Sequence, residues 1–380
     1  MGIAIGYFAY NYEHVPLRVS SILTPILGAD RLDGPLARVI DIVAVFATLG
    51  GVATSLGFIG SQFVFGMDFQ WGIDLGNIGI ILVVTGMTVL FTISMVLGVN
   101  RGIRRLSNFN MTLMLILMVT TLIVGPTAWL LNVGVQGFGG FIGDFVQMSL
   151  FTDATNGAEW SNAWSVFYWT WALAWSPFAG LFIARISRGR TVREVAATGI
   201  VATSAATIPW FMIIGGTALH AQHTGQADIL GPLFEFGAEV PGFLLFQSFP
   251  LANVFLIAFL LLVTTFFVTS ADSSTLAVSM MTTGGKERPS TINRVFWGVM
   301  LGLTASILMI IGGADALQAA AVTTGGPWSL VAFLAMLGLI KAFIKDSGPV
   351  LLQESTRLRG GKIDYSQDEA EPDAVPTDDD

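Results

Sequence analysis

The chain has 380 residues, 53% of them hydrophobic and 12% charged, with no cysteine and a formal net charge of −8. Soluble domains carry about 25% charged residues, so this composition excludes an ordinary soluble protein and describes one that crosses a lipid bilayer many times. Without cysteine there are no disulfides and no thiolate metal sites, and neither an enzyme nor a nucleic-acid partner is expected.

Apolar runs fall at about 38–66, 76–98, 108–132, 159–184, 194–219, 251–281, 292–312 and 318–344. Each reaches the roughly 20 residues that a helix needs to span a membrane. Backbone polar groups must pair internally in hydrocarbon, so the runs predict helices. A ninth run, residues 1–10, is half a span long, and no basic segment precedes it as a cleavable signal would require.

The first full run contains FATLGGVATSLG, Phe46 to Gly57. Its glycines and alanines permit close approach of packed helices, while Thr48, Thr54 and Ser55 offer ion ligands or interhelical hydrogen bonds.

The run beginning at 159 carries four tryptophans within twelve residues, Trp164, Trp169, Trp171 and Trp175, then Ser176 and Pro177 and an arginine-dense loop. Pro177 has no N–H to donate, so a break in the helix is expected there, as in transporters whose broken helices line a substrate site. Trp171 and Trp175 are four residues apart and share a helix face that Phe178 continues. Aromatic faces beside a weakened helix can hold a cation without a carboxylate. Trp164, near the end of the run, reads instead as part of an interfacial tryptophan belt.

His220 and His223 follow the next run; they are either solvated residues at a helix end or a partial metal site without a carboxylate. The run 251–281 contains TTFFVTSADSS, Thr264 to Ser274. Its hydroxyls at Thr269, Ser270, Ser273 and Ser274 suit sodium, which prefers hard oxygen ligands, or else bond back to the preceding turn. Asp272 is an intramembrane acid, functional or tethered by an ion pair to the arginine loop 185–193.

All 18 Lys and Arg residues fall in alternate connections or after the last run, and the other connections hold acids such as Asp68, Asp144, Asp228, Glu235 and Glu239. That bias places the basic loops and the C-terminus in the cytoplasm of a multi-pass protein of the plasma (inner) membrane. Residues 1–345 therefore read as the transmembrane domain. Residues 346–380, with eight acids and no base from Asp364 onward, read as a disordered cytoplasmic tail.

Taken together, FYWTWALAWSPFAGLFIARISRGRTVRE, IDIVAVFATLGGVATSLG, RGIRRLSNFN, PWFMIIGGTAL, FFVTSADSS and ALQAAAVTTGGPWS resemble the recurring blocks of the betaine/choline/carnitine transporter family, in family order. The resemblance covers about residues 1–345. It implies an all-α polytopic membrane protein with a LeuT-like inverted-repeat core, here about eight full transmembrane helices and one partial N-terminal helix. It also implies a homotrimer that moves quaternary ammonium or zwitterionic osmolytes by sodium symport, with proton coupling or substrate exchange as alternatives. Trp169, Trp171, Ala172, Trp175 and Phe178 are then the candidate substrate residues. Phe266, Thr269 and Ser270 match a sodium position, and Thr48 with Phe178 part of a second one.

Three departures from the family accompany the resemblance. Ala172 stands where the signature has the second of two adjacent tryptophans. A lost cage wall removes about 0.5–2 kcal/mol of cation–π attraction, or roughly threefold to thirtyfold in affinity. Val52 replaces a hydroxyl at the second sodium position. Residues 1–28 match the end of the second core helix and its loop, so the family's glycine-rich first core helix and two peripheral helices are expected upstream. A chain without them reads alternatively as a transport-incompetent sensor or assembly partner.

Overall fold

The computed structural model describes residues 1–96, 100–237 and 240–347, and the side chains of all of these but Asn77, Met95, 100–104, Glu235, Phe236 and 345–347. The acidic tail past residue 347, Glu239, and the side chains of Arg101, Arg104 and Lys345 thus lie outside the described residues. Among those described there are helices and connections and no strand. In chain order the principal helices are α1 (Gly2–Asn11), α2 (Pro35–Trp71), α3 (Gly76–Val96), α4 (Asn100–Val124) and α5 (Thr127–Gly143). Then come α6 (Glu159–Ile186), α7 (Val192–Thr224), α8 (Leu230–Phe236), α9 (Pro241–Gln247), α10 (Ala252–Thr282) and α11 (Thr291–Ser347).

Six of these are long and apolar enough to cross a bilayer, and a shorter apolar helix covers Ile78–Ser94. The 57 residues of α11 would extend about 85 Å, nearly three times a hydrocarbon core of about 30 Å. The helix turns at Gly312 (φ −159°) and Gly313 (φ +58°, ψ −137°), a backbone that only glycine adopts readily. Its two limbs correspond to the runs 292–312 and 318–344, so all eight apolar runs are accounted for.

Two expectations are corrected. The run placed at 108–132 ends at Val124, because Pro126 cannot donate to the helix and biases Gly125 out of the helical region. The apolar residues beyond it start a separate helix, α5, most of which is exposed. Nor is α6 broken at Ser176–Pro177: it runs continuously through Pro177, and its irregularity is a π-helical turn at Asn162–Val166. One missing donor is tolerated because neighbouring helices pack tightly around it. Ala174, Pro177 and Gly180 are buried, and Ser176 Oγ accepts a 2.7 Å hydrogen bond from Nε1 of the fully buried Trp328 on α11.

The centre of the molecule is α2, which packs on α11, α6, α3 and α10. Its small residues make that possible. Gly50 faces Thr324 and the Ala320 carbonyl of α11, and a Cβ on Gly51 would stand 2.9 Å from the Ala174 Cβ of α6. Thr54 Oγ1 lies 2.8 Å from both the Gly50 carbonyl of its own helix and the Leu317 carbonyl of α11. At the start of α2, buried Arg18 reaches Asp33 at 3.0 Å and Asp41 at 3.7 Å and donates to the Leu32 carbonyl, tying the preceding loop down.

Candidate functional site

The tight approach of α2 to α6 leaves a cavity of about 500 Å³ on their flank, closed by α4, α7 and α10. Trp171 and Trp175 form one wall, Phe58 of α2 and Trp210 of α7 two others, and Phe259 and Phe266 of α10 the fourth. No charged side chain lines it; its polar groups are the hydroxyls of Ser55, Thr207 and Ser270. Such a chamber cannot neutralise a full charge with a counter-ion. It can meet a cation with ring faces and a carboxylate with hydroxyl donors.

The two cavity tryptophans of α6 are held alike. Trp171 Nε1 donates to the Gly51 carbonyl at 2.9 Å, and Trp175 Nε1 donates to the same oxygen at 3.0 Å. Ser55 Oγ lies 3.2 Å from it as well. Around them, Trp171 stacks on Phe167 with centroids 5.3 Å apart and meets the edge of Phe58 at 5.8 Å. Trp175 leans on Phe178 at 5.2 Å.

The hydroxyl cluster of α10 borders the same cavity. Thr269 Oγ1 donates to the Phe266 carbonyl at 2.7 Å, and Ser270 Oγ to the same carbonyl at 3.1 Å. Each hydroxyl has one proton and two lone pairs, so both oxygens keep lone pairs for a cation. Ser270 and Phe266 line the cavity; Thr269 does not. Asp272, two residues on, is not tied to the loop 185–193 as the sequence suggested. It pairs with Arg294 of α11 at 2.9 Å, both side chains being largely buried. Arg294 is in the first turn of α11, a helix that packs on α10, whereas the arginines of 185–193 lie at and beyond the end of α6.

Other residues singled out from the sequence fall elsewhere. Trp169 is 72% exposed and turned away from the cavity, and Ala172 is exposed beside it. Phe178 is buried in the core behind Trp175. Thr48 is buried and donates back to the Ala44 carbonyl at 2.9 Å. Trp164 stacks on Tyr168 at 5.7 Å and lines a second cavity of about 550 Å³, which shares Phe58 and Trp171 with the first. His220 packs against the Trp129 ring, centroids 5.0 Å apart.

Trp210, Phe58, Phe259 and Phe267 are the lining aromatics that sequence reasoning missed. Trp210 had a signal, a tryptophan beside a proline in mid-run within the block PWFMIIGGTAL. Phe267 stands in the block FFVTSADSS, whereas Phe58 and Phe259 had no signal, being two of 28 in an apolar chain.

Comparison with known proteins gives a consistent picture. The sequence model described as BCCT, betaine/carnitine/choline family transporter, matches residues 1–348. A glycine betaine transporter of Bacillus subtilis is 37% identical over 348 residues, which cover 91% of this chain and 67% of that protein. A glycine betaine/proline/choline transporter of Vibrio parahaemolyticus is also 37% identical over 348 residues, 91% of this chain and 62% of its own. A probable glycine betaine transporter of Desulfitobacterium hafniense is 34% identical over 356 residues, 91% and 69%. The chain thus spans about two thirds of the length of these curated relatives.

Proposed function

The chain belongs to the betaine/carnitine/choline transporter family, and on that premise we propose that it takes up a betaine-like quaternary ammonium or zwitterionic osmolyte by sodium symport. The observation that carries the reading is the cavity between α2, α4, α6, α7 and α10, with aromatic rings from four of these helices, no charged side chain and three hydroxyls. A trimethylammonium group has no N–H to donate and is bound through cation–π attraction by just such walls. Its carboxylate is met by the Thr207 hydroxyl, since those of Ser55 and Ser270 donate to backbone carbonyls. The relatives named for glycine betaine and choline fit the same substrate chemistry.

Sodium binds at the Thr269 and Ser270 oxygens, helped by the Phe266 carbonyl to which both hydroxyls donate. That group borders the substrate cavity, so occupancy of one site favours the arrangement that forms the other. Thr48 brings one side-chain oxygen to the second position, and Val52, a turn later, brings none. The first position therefore carries the coupling. Each sodium that enters down the membrane potential supplies about 2.3 kcal/mol per 100 mV. Alternating access comes from rocking of a LeuT-like bundle that contains α6 and α10's neighbours against its scaffold, within a homotrimer of the plasma membrane whose basic loops and C-terminus face the cytoplasm.

Uptake of radiolabelled glycine betaine by cells expressing the gene, with sodium exchanged for potassium, tests both parts. Strong uptake in sodium and its loss in potassium is the expected result. Equal uptake in the two salts would remove the sodium coupling, and no uptake in either would remove the transport reading.

A further inference from the structure

We propose that Gly51 is the positioning residue of the two-tryptophan wall: its single carbonyl oxygen, taking both indole N–H groups, sets the orientation in which Trp171 and Trp175 meet the substrate. The inference rests on the cavity being the substrate site. It adds a residue that contributes no side chain and does not line the cavity.

Three observations carry it. First, the acceptor is shared, since Nε1 of Trp171 and Nε1 of Trp175 stand 2.9 and 3.0 Å from the same oxygen. In mid-helix this carbonyl also takes the backbone N–H four residues on, so the indoles share its remaining capacity, and Ser55 Oγ at 3.2 Å is the most distant of the three side-chain donors. Second, the position tolerates no side chain. A Cβ at residue 51 would lie 2.9 Å from Ala174 Cβ, 3.0 Å from Trp175 Cδ1 and 3.2 Å from the Ala174 carbonyl carbon. Two of those neighbours belong to the α6 backbone or its first carbon, so α6 itself must move away, and both indole bonds lengthen. Third, the N–H groups have few alternatives. Burying a donor without a partner is costly, and the acceptors nearby are the cavity hydroxyls of Ser55, Thr207 and Ser270.

The functional consequence follows from where the N–H groups are spent. With both taken by α2, the rings offer the cavity carbon surface and no hydrogen-bond donor. They act as cation-binding walls and leave the substrate carboxylate to the Thr207 hydroxyl, which keeps the two ends of a zwitterion apart. Without the Gly51 clamp the rings would turn their N–H edges to the cavity hydroxyls and block the group the carboxylate needs. Because the two indoles share one acceptor, a disturbance at residue 51 reaches both.

The test combines equilibrium binding of glycine betaine in sodium with ¹⁹F NMR of the purified full-length protein labelled with 5-fluorotryptophan. Trp171→Phe and Trp175→Phe, each lacking one resonance, assign the two signals. Gly51→Ala is expected to shift both of them, to leave in place the signal of Trp297 of α11, whose Nε1 donates to Thr282 Oγ1 of α10 at 3.1 Å, and to weaken binding about tenfold. Unmoved Trp171 and Trp175 signals with unchanged binding would overturn the proposal. Should Gly51→Ala fail to fold, the two phenylalanine variants decide. Each keeps a ring and loses one N–H, and loss of either is expected to shift the other tryptophan's resonance; independence of the two signals would refute a shared clamp. If Gly51→Ala moves both signals while the wild type binds no betaine, the clamp stands and the substrate assignment falls.

Discussion

Trp169 and Trp171 are two residues apart, and an α-helix turns them about 200° from each other. That angle leaves Trp169 72% exposed while Trp171 lines the cavity and is fixed by the Gly51 carbonyl. Phe178, four residues beyond Ala174, falls behind Trp175 and supports it from the core. Trp210 enters the same chamber from α7, a helix with no part in the signature segment. Two substitutions separate these roles. Trp210→Leu removes one aromatic wall and with it about 0.5–2 kcal/mol of cation–π attraction, so the KM for glycine betaine should rise roughly threefold to thirtyfold. Trp169→Leu exchanges one lipid-compatible side chain for another and should leave KM within about twofold of wild type. Uptake kinetics of the two variants check both, and equal effects would show that the cavity wall is drawn wrongly.

At the level of elements, α10 is joined to its neighbours by polar contacts set within apolar helices. Thr265 Oγ1 meets Asn110 Oδ1 of α4 at 2.6 Å, and Asp272 meets Arg294 of α11 at 2.9 Å. The ion pair lies two residues past Ser270 and locks the end of the hydroxyl cluster against the next helix. Removing one partner of a buried pair leaves an uncompensated charge, whose cost is about 3–5 kcal/mol, whereas replacing both by apolar groups of similar volume is far milder. Asp272→Leu should therefore lower the melting temperature of the detergent-purified protein sharply. Adding Arg294→Met to it should recover most of the loss. A double variant as unstable as the single one would mean that the pair does not act as a unit.

For the molecule as a whole, the arrangement of charge predicts an orientation that can be read directly because the chain has no cysteine. Thr155, before α6, and Arg190, after it, are both exposed and sit at opposite ends of one spanning helix. A membrane-impermeant maleimide applied to intact cells should label Thr155→Cys, and should reach Arg190→Cys only once the membrane is permeabilised. The reverse pattern would invert the topology.

The apolar runs, their number and the bias of basic residues were all legible before any coordinates, because crossing a bilayer is a local demand. Every residue of a span must suit lipid or a packed interior, and every backbone group must bond within its own helix. The common face of Trp171 and Trp175 was legible for a related reason: residues four apart lie one above the other on a helix. Which apolar residue faces a cavity and which faces lipid was not, since both environments accept the same side chains. Packing alone decided that Trp210 and Phe58 complete the chamber, that Trp169 lies outside it, that α6 passes through Pro177 unbroken, and that Asp272 pairs with Arg294. The sequence by itself determined a bundle of membrane helices and the chemistry along each. Only the tertiary structure decided which of those chemistries meet, because in a nearly all-apolar chain the choice of neighbour depends on the fit of small residues such as Gly51 between helices, and hydropathy does not record that fit.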